Sequence, residues 1–159
     1  QAMKELSIDP PRPLKFPGDF TVNAQLQRIL ESEEIDMREL SIVADSIQHL
    51  SVELDQVGLN YLAADRVNKM MNRLKEDPLN DRLIGKVVKF IQVCKQVNLS
   101  PDLWEAQNIA FLIRRKHYLE QCHERDSGDG KAHVWCEVFE SLFYELNILV
   151  TEDAPMPQL

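Results

Sequence analysis

The stretch SPDLWEAQNIAFLIRRKHYLEQC, from Ser100 to Cys122, predicts a helix around which the rest of the chain is organised. Ser100 suits the N-cap, because its hydroxyl accepts an otherwise unpaired backbone N–H, and Pro101 suits the first helical position. Apolar residues follow on more than one face, which is typical of a helix at the centre of a bundle. We therefore expect this helix, with Trp104 near its start, to lie in the middle of the fold.

Helical periodicity continues on both sides of this stretch. Upstream, Asp19 or Thr21 is a candidate N-cap for one amphipathic segment, and Asp36 with Glu39 resembles a capping box before a second. A long third helix begins at Asp55 and ends at Pro78, with an apolar stripe at spacings of three and four residues; we assign to this stripe Val57, Tyr61, Ala64, Val67, Met71 and Leu74.

A fourth helix follows Pro78 and places Cys94 on its apolar stripe, where a buried structural thiol is expected. After the Ser100 stretch, the turn DSGDG leads into a last helix, Ala132 to Leu146, which we expect to pack against the helix before it. The sequence therefore predicts an all-α, single-domain bundle of about six helices with no sheet.

The ends of the chain differ from this helical part. Four prolines between Pro10 and Pro17 predict an extended, proline-rich lead-in over residues 1–18, before a helical domain at 19–150 and a flexible tail at 151–159. A lead-in of this kind is typical of a linker between domains, so we expect a piece of a longer protein. A processed whole protein is the alternative.

Composition excludes several classes of function. With 26 acidic and 18 basic residues, the formal net charge is -8, so nucleic acid and membrane surfaces are not expected partners. Three cysteines without a CxxC pair indicate a reducing, cytoplasmic setting rather than a disulfide framework. No glycine-rich phosphate loop, HExxH motif or nucleophile elbow occurs, so the sequence predicts neither a cofactor nor self-contained catalysis.

Two groups of residues are candidates for a binding site. Cys122, His123, His133 and Cys136 are a weak candidate metal site, because adjacent helical residues point about 100° apart and do not easily share one ion. Trp104, Gln107 and Asn108 form the stronger candidate. An indole plane beside two amides suits a sugar, which stacks its C–H face and bonds its hydroxyls. The alternative interpretation is a buried tryptophan with amides that bond nearby backbone.

The sequence also resembles a known family region in four segments that occur in order. These are FPGDFTVNAQLQRILESEEID (Phe16 to Asp36), VGLNYLAADRVNKMMNRLKEDPLN (Val57 to Asn80), PDLWEAQN (Pro101 to Asn108) and WCEVFESLFYELNILV (Trp135 to Val150). They resemble the C-terminal helical domain of unknown function in alpha-amylase/alpha-mannosidase relatives of glycoside hydrolase family 57.

This resemblance implies a parent enzyme with an N-terminal (β/α) barrel that carries a glutamate nucleophile and an aspartate acid/base and cleaves α-glucans with retention. No segment of this chain corresponds to that barrel, so the chain alone is expected to be catalytically silent. Its implied partner is the barrel of the same polypeptide, and by likeness Trp104, Gln107 and Asn108 are expected to contact an α-glucan. The alternative function is a free-standing helical module that binds another protein.

Overall fold

The computed structural model describes residues 12–50 and 52–148, which form helices joined by short loops. The elements are α1 (Arg12–Glu31), α2 (Met37–Gln48), α3 (Gln56–Glu76), α4 (Asp81–Gln96), α5 (Trp104–Ile113), a π-helical segment (Arg114–Tyr118), α6 (Leu119–Asp126) and α7 (Gly130–Glu145). Because α5, the π segment and α6 run on without a break, the described residues form six helical rods. No strand occurs in these residues, which confirms the all-α bundle.

Short polar side chains cap the N-termini of most of the helices. The Asp36 carboxylate accepts from the N–H groups of Arg38 and Glu39, Asp55 accepts from Gly58, and Asn80 and Asp129 cap α4 and α7 in the same way. The N-cap predicted at Asp36 is confirmed, and so is the start of the third helix at Asp55. The Glu39 side chain does not close a capping box, since it pairs with Arg28 of α1 instead.

The first helix begins earlier than the sequence indicated. α1 starts at Arg12, so the prediction of an extended chain up to Gly18 is wrong for residues 12–18. The predicted N-cap at Asp19 or Thr21 is wrong for the same reason, since both residues lie inside α1. Pro13 lies in the first turn, where the missing N–H has no helical acceptor in any case, so proline is tolerated there. The rest of the predicted lead-in, residues 1–11, and the predicted tail, residues 151–159, lie outside the described residues.

The core is centred on α4, not on the rod that begins at Trp104. α4 packs against α2, α3 and α7, whereas α5 packs mainly on α3. α5 buries one face, through Ala106, Ile109, Ala110 and Ile113, and leaves Trp104 and Leu112 exposed. The expectation that this helix lies in the middle of the fold is therefore wrong. Apolar residues such as Trp104 and Leu112 can remain exposed on a folded protein, so apolar residues on several faces did not require a central helix.

The last helix contributes an aromatic column to this core. Trp135 and Phe139 stack with ring centroids 4.6 Å apart, and Phe143 continues the column at 5.1 Å. α7 packs against α4 and α6, so its expected pairing with the preceding rod holds through α6, the C-terminal part of that rod. Cys94 is buried on α4, as predicted. Within the described ranges, no helix is both long and apolar enough to cross a membrane.

The pairing of α4 with α7 includes an ion pair that is buried on one side. Lys95 Nζ lies 2.8 Å from Glu145 Oε2 and also donates to the Glu145 carbonyl, while Gln92 donates to Oε1. Burial alone would raise the pKa of Glu145, but the hydrogen bonds from Lys95 and Gln92 and the charge of Lys95 outweigh it and lower the pKa below its ordinary value near 4.5. The carboxylate form is therefore the one that the fold favours.

This shift predicts a pH dependence of stability. A carboxyl group whose pKa is lower in the folded state stabilises the protein fully above its unfolded-state pKa, near 4.5, and loses that contribution as the pH falls through the folded-state value. We expect Glu145→Gln to reduce the free energy of unfolding at pH 7, with the difference from wild type shrinking below pH 4.5 in urea titrations. Glu137→Gln, at a carboxylate with 67% of its side chain exposed on the same helix, is the control. If the difference in unfolding free energy between wild type and Glu145→Gln stayed constant from pH 7 to pH 3, the lowered pKa of Glu145 would be contradicted.

A glycine in the second turn of α4 predicts a stabilising substitution. An added Cβ at Gly85 meets nothing within 4 Å, so Gly85→Ala gains helix propensity without a clash and should raise the free energy of unfolding by about 0.5–1 kcal/mol. Gly58→Ala is the contrast, because its Cβ would lie 2.4 Å from Asp55 Oδ2 and displace the α3 cap. In urea denaturation, Gly85→Ala should raise the free energy of unfolding and Gly58→Ala should not. An equal rise in both variants would contradict this prediction.

Candidate functional site

A cleft of about 560 Å³ lies between α3 and the segment that leads into α5. Two large aromatic side chains at this cleft are mostly exposed, Tyr61 at 74% and Trp104 at 70%. Polar groups fill the rest of its wall, and the complete lining is Asn60, Tyr61, Ala64, Asp65, Asn68, Ser100, Asp102, Trp104 and Glu105. The candidate site therefore combines flat apolar surfaces with hydrogen-bonding groups.

The α3 wall of the cleft corrects the apolar stripe predicted for that helix. Val57 and Tyr61, assigned to the buried face, are 85% and 74% exposed. The buried face of α3 is instead formed by Leu59, Ala63, Arg66, Val67, Met70, Met71 and Leu74. Because α3 carries apolar residues on two adjacent stripes, periodicity alone could not say which of them the other helices cover.

The loop before α5 is held against α3 by a defined helix end. Asn98 adopts a left-handed backbone conformation (φ 58°), and the Leu99 N–H donates to the Cys94 carbonyl, which makes a Schellman motif at the end of α4. The Ser100 N–H then donates to Asn60 Oδ1 at 2.7 Å. This bond joins the loop to the α3 wall and so sets where Trp104 stands.

The helix start differs from the prediction in a way that exposes Trp104. α5 begins at Trp104, three residues after the predicted first helical residue, and Ser100 is not its cap. The N-cap position is Leu103, which has no side-chain cap, and the Asp102 carboxylate accepts from the Trp104 N–H at 3.0 Å. Trp104 stands on the first turn of α5, lines the cleft and is 70% exposed. The alternative interpretation of a buried tryptophan is therefore wrong for Trp104, although it describes Trp135, whose indole N–H donates to the Pro78 carbonyl at 2.9 Å.

The carboxylates of the cleft already have partners. Asp65 lies 2.6 Å from Lys69 Nζ, and Glu105 Oε1 accepts from Asn72 Nδ2 at 3.1 Å. Carboxylates held in this way are oriented acceptors for the hydroxyl groups of a ligand. The cleft therefore presents oriented hydrogen-bond acceptors along its wall.

One amide in the cleft wall has an unused acceptor. Asn68 Oδ1 is buried and makes no hydrogen bond with any residue in the described ranges. Leaving such a group unsatisfied costs about 1–3 kcal/mol, so a ligand hydroxyl or a water molecule that donates to it recovers that energy.

The structure places Gln107 and Asn108 outside the lining of the cleft. The Gln107 side chain points to the end of α7, where Nε2 donates to the Leu146 carbonyl at 2.8 Å, as in the interpretation that such amides bond backbone. Asn108 is exposed one turn after Trp104. The structure thus brings Trp104 together with Tyr61, Asn60 and Asn68, more than 35 residues upstream, and the contact of Gln107 and Asn108 with a sugar stays a prediction.

The predicted metal-competent residues do not form one centre. Cys136 is buried and Cys122 half-buried, whereas His123 and His133 are exposed, and His133 Nε2 lies 3.3 Å from Glu137 Oε1. Across residues 12–50 and 52–148, no three histidine, cysteine, aspartate or glutamate side chains gather around a point that could hold an ion. The weak alternative of a four-residue metal site is therefore wrong for this arrangement.

Comparison with known proteins gave no match. The chain matches no protein-family model. It likewise matches no curated protein and no solved structure.

Proposed function

We propose that this chain is a non-catalytic helical accessory domain of a family 57-type glycoside hydrolase, and that its Trp104 cleft contributes to the contact with an α-glucan. The resemblance of the four sequence segments supports the family, and the exposed indole of Trp104 supports the contact. A tryptophan that is 70% exposed beside an exposed tyrosine and the amides of Asn60 and Asn68 suits a sugar ring.

Tyr61 extends the role that the sequence assigned to Trp104 alone. Its ring stands on a rigid helix, and its position is reinforced by the Asn60–Ser100 bond next to it. Aromatic side chains with only two rotatable torsions lose little conformational entropy on binding, so a pair of them is an efficient platform. In the parent enzyme, this cleft would adjoin the barrel and widen its substrate groove.

The same surface supports the second candidate function, a free-standing helical module that binds another protein. Val57, Tyr61 and Trp104 are each at least 70% exposed, and Val57 lies one helical turn from Tyr61 on α3. Large exposed apolar groups of this kind mark sites of association. The coding sequence upstream of Gln1 discriminates the two candidates: a barrel with two active-site carboxylates supports the first, and a start codon immediately before Gln1 supports the second.

Binding by the chain itself is the direct test of the proposal. Maltoheptaose should shift the indole N–H signal of Trp104 in nuclear magnetic resonance spectra and leave that of Trp135 unchanged, because Trp135 is buried and bonded to Pro78. Trp104→Ala should weaken this binding at least tenfold, about 1.4 kcal/mol, while the free energy of unfolding changes by less than about 0.5 kcal/mol.

The matched control is Tyr144→Ala, since Tyr144 is 78% exposed on α7 and lies outside the cleft. It should leave maltoheptaose binding unchanged. In the full-length enzyme, Trp104→Ala should also lower the turnover of an α-glucan. If maltoheptaose moves neither indole signal and the mutant enzyme keeps its kinetics, Trp104 is not a glucan contact and the accessory role loses its support.

A further inference from the structure

The charged groups that line the Trp104 cleft are all negative. Three carboxylates belong to the lining, those of Asp65, Asp102 and Glu105. Among the residues that the structure describes, no lysine, arginine or histidine lines the cleft. Lys69, outside the lining, pairs with Asp65 at 2.6 Å and neutralises that carboxylate alone. The cleft therefore attracts positive charge, a property that a neutral sugar does not use.

The other two carboxylates have neutral partners only. Asp102 accepts from the backbone N–H of Trp104, and Glu105 accepts from the side-chain amide of Asn72. In the part of the chain that the structure describes, neither Asp102 nor Glu105 forms an ion pair. Their negative charges are therefore uncompensated, and a cationic ligand in the cleft would balance them.

The same cleft presents two aromatic rings to solvent. Tyr61 on α3 is 74% exposed, and Trp104 at the start of α5 is 70% exposed. The face of an aromatic ring carries partial negative charge and attracts an ammonium group, most strongly when the ring is an indole. Trp104 lies in the chain between Asp102 and Glu105, so rings and carboxylates attract the same kind of ligand.

From these observations we infer that the Trp104 cleft binds an organic ammonium group, with its positive charge against the rings of Tyr61 and Trp104 and beside the carboxylates of Asp102 and Glu105. The inference goes beyond the α-glucan contact and does not rest on it, because an α-glucan carries no charge. Two sources offer this chemistry, the amino group of an amino sugar and a free quaternary ammonium compound.

The first test compares two ligands of nearly the same shape that differ in charge. Tetramethylammonium and neutral tert-butanol are titrated into the full chain at matched ionic strength, so that charge screening is equal in both. Tetramethylammonium should shift the Trp104 indole N–H signal in nuclear magnetic resonance spectra with a dissociation constant about tenfold lower than that of tert-butanol. The Trp135 signal should stay unchanged, because that indole is buried and bonded to the Pro78 carbonyl.

Glucosamine and glucose, which differ at one substituent, identify the source of the ammonium group. We expect glucosamine to bind more tightly than glucose and tetramethylammonium, because its N–H groups donate to the carboxylates and tetramethylammonium has none. Tighter binding of tetramethylammonium than of glucosamine supports the inference equally and identifies a quaternary ammonium ligand.

Two variants test the groups while Trp104 remains as the reporter. Glu105→Gln keeps the shape of an exposed side chain and removes its charge, so it should weaken tetramethylammonium binding about threefold and leave tert-butanol binding unchanged. Tyr61→Leu removes an exposed ring face and should weaken tetramethylammonium binding by about the same factor. Glu137→Gln is the control, since Glu137 is exposed on α7 outside the cleft, and it should have no effect.

Two results would overturn the inference. One is equal affinity for tetramethylammonium and tert-butanol; the other is tetramethylammonium binding that both Glu105→Gln and Tyr61→Leu leave unchanged. The maltoheptaose titration tests the α-glucan contact separately, because binding of a neutral sugar does not depend on the charge of Glu105. Either proposal can therefore fail while the other stands.

Discussion

Replacing Phe139 with alanine should lower the free energy of unfolding by about 4 kcal/mol, the largest effect that we expect from a single substitution. Phe139 is 1% exposed at the centre of the α7 aromatic column, between Trp135 at 4.6 Å and Phe143 at 5.1 Å, with Tyr118 at 6.0 Å. Truncation removes the buried ring and leaves a cavity that three large neighbours, each held by its own contacts, fill only in part.

Urea-induced unfolding measures this loss. Phe139→Leu fills most of the space and should cost less than half as much. Phe20→Ala is the matched control at an exposed position, since Phe20 is 70% exposed on α1, and it should change stability by less than about 0.5 kcal/mol. A loss below 1 kcal/mol for Phe139→Ala would mean that the column is not packed as described.

Arg66→Ala should lower the free energy of unfolding by about 3 kcal/mol. Arg66 is 6% exposed on α3, and its guanidinium ends α1 by donating to three backbone carbonyls: Leu30 at 2.7 Å, Glu33 at 3.2 Å, and Ser32. The last carbonyls of a helix have no partner within the helix, so removal of Arg66 leaves partly buried acceptors unsatisfied.

The controls for Arg66 separate its hydrogen bonds from its charge. Arg73→Ala removes the same side chain from an exposed position on the same helix and should have little effect. Arg66→Lys keeps the charge but lacks the planar fork that serves several carbonyls at once, so an intermediate loss is expected. Equal stability of Arg66→Lys and wild type in urea titrations would show that charge alone, rather than the shared carbonyl contacts, is responsible.

Much of the fold was predictable because it depends on neighbours within one helical turn. The N-cap carboxylates of Asp36 and Asp55 act on N–H groups two or three residues away. The DSGDG turn contains Gly128, whose φ of +96° a glycine adopts without strain. Signals of this range predicted the number of helical rods and most of their ends.

The candidate site was predictable only in part. Trp104 was singled out from its neighbours Gln107 and Asn108, yet the groups that share its cleft come from α3. Tyr61 was assigned to the buried stripe because its spacing from Val57 and Ala64 fits a helix face. No local pattern could show that the other helices cover the Leu59 and Ala63 side of α3 instead.

Taken alone, the sequence determined that the chain is an acidic all-α bundle. Helix periodicity, caps and turns depend on residues a few positions apart, and the net charge is the sum over all charged side chains, so neither requires the tertiary structure. Only the tertiary structure decided which apolar residues are covered. Contacts such as Ser100 N to Asn60 Oδ1 and Gln107 Nε2 to the Leu146 carbonyl join residues about 40 positions apart, so they form only when whole helices pack. Those contacts expose Trp104 beside Tyr61 and turn Gln107 away from both.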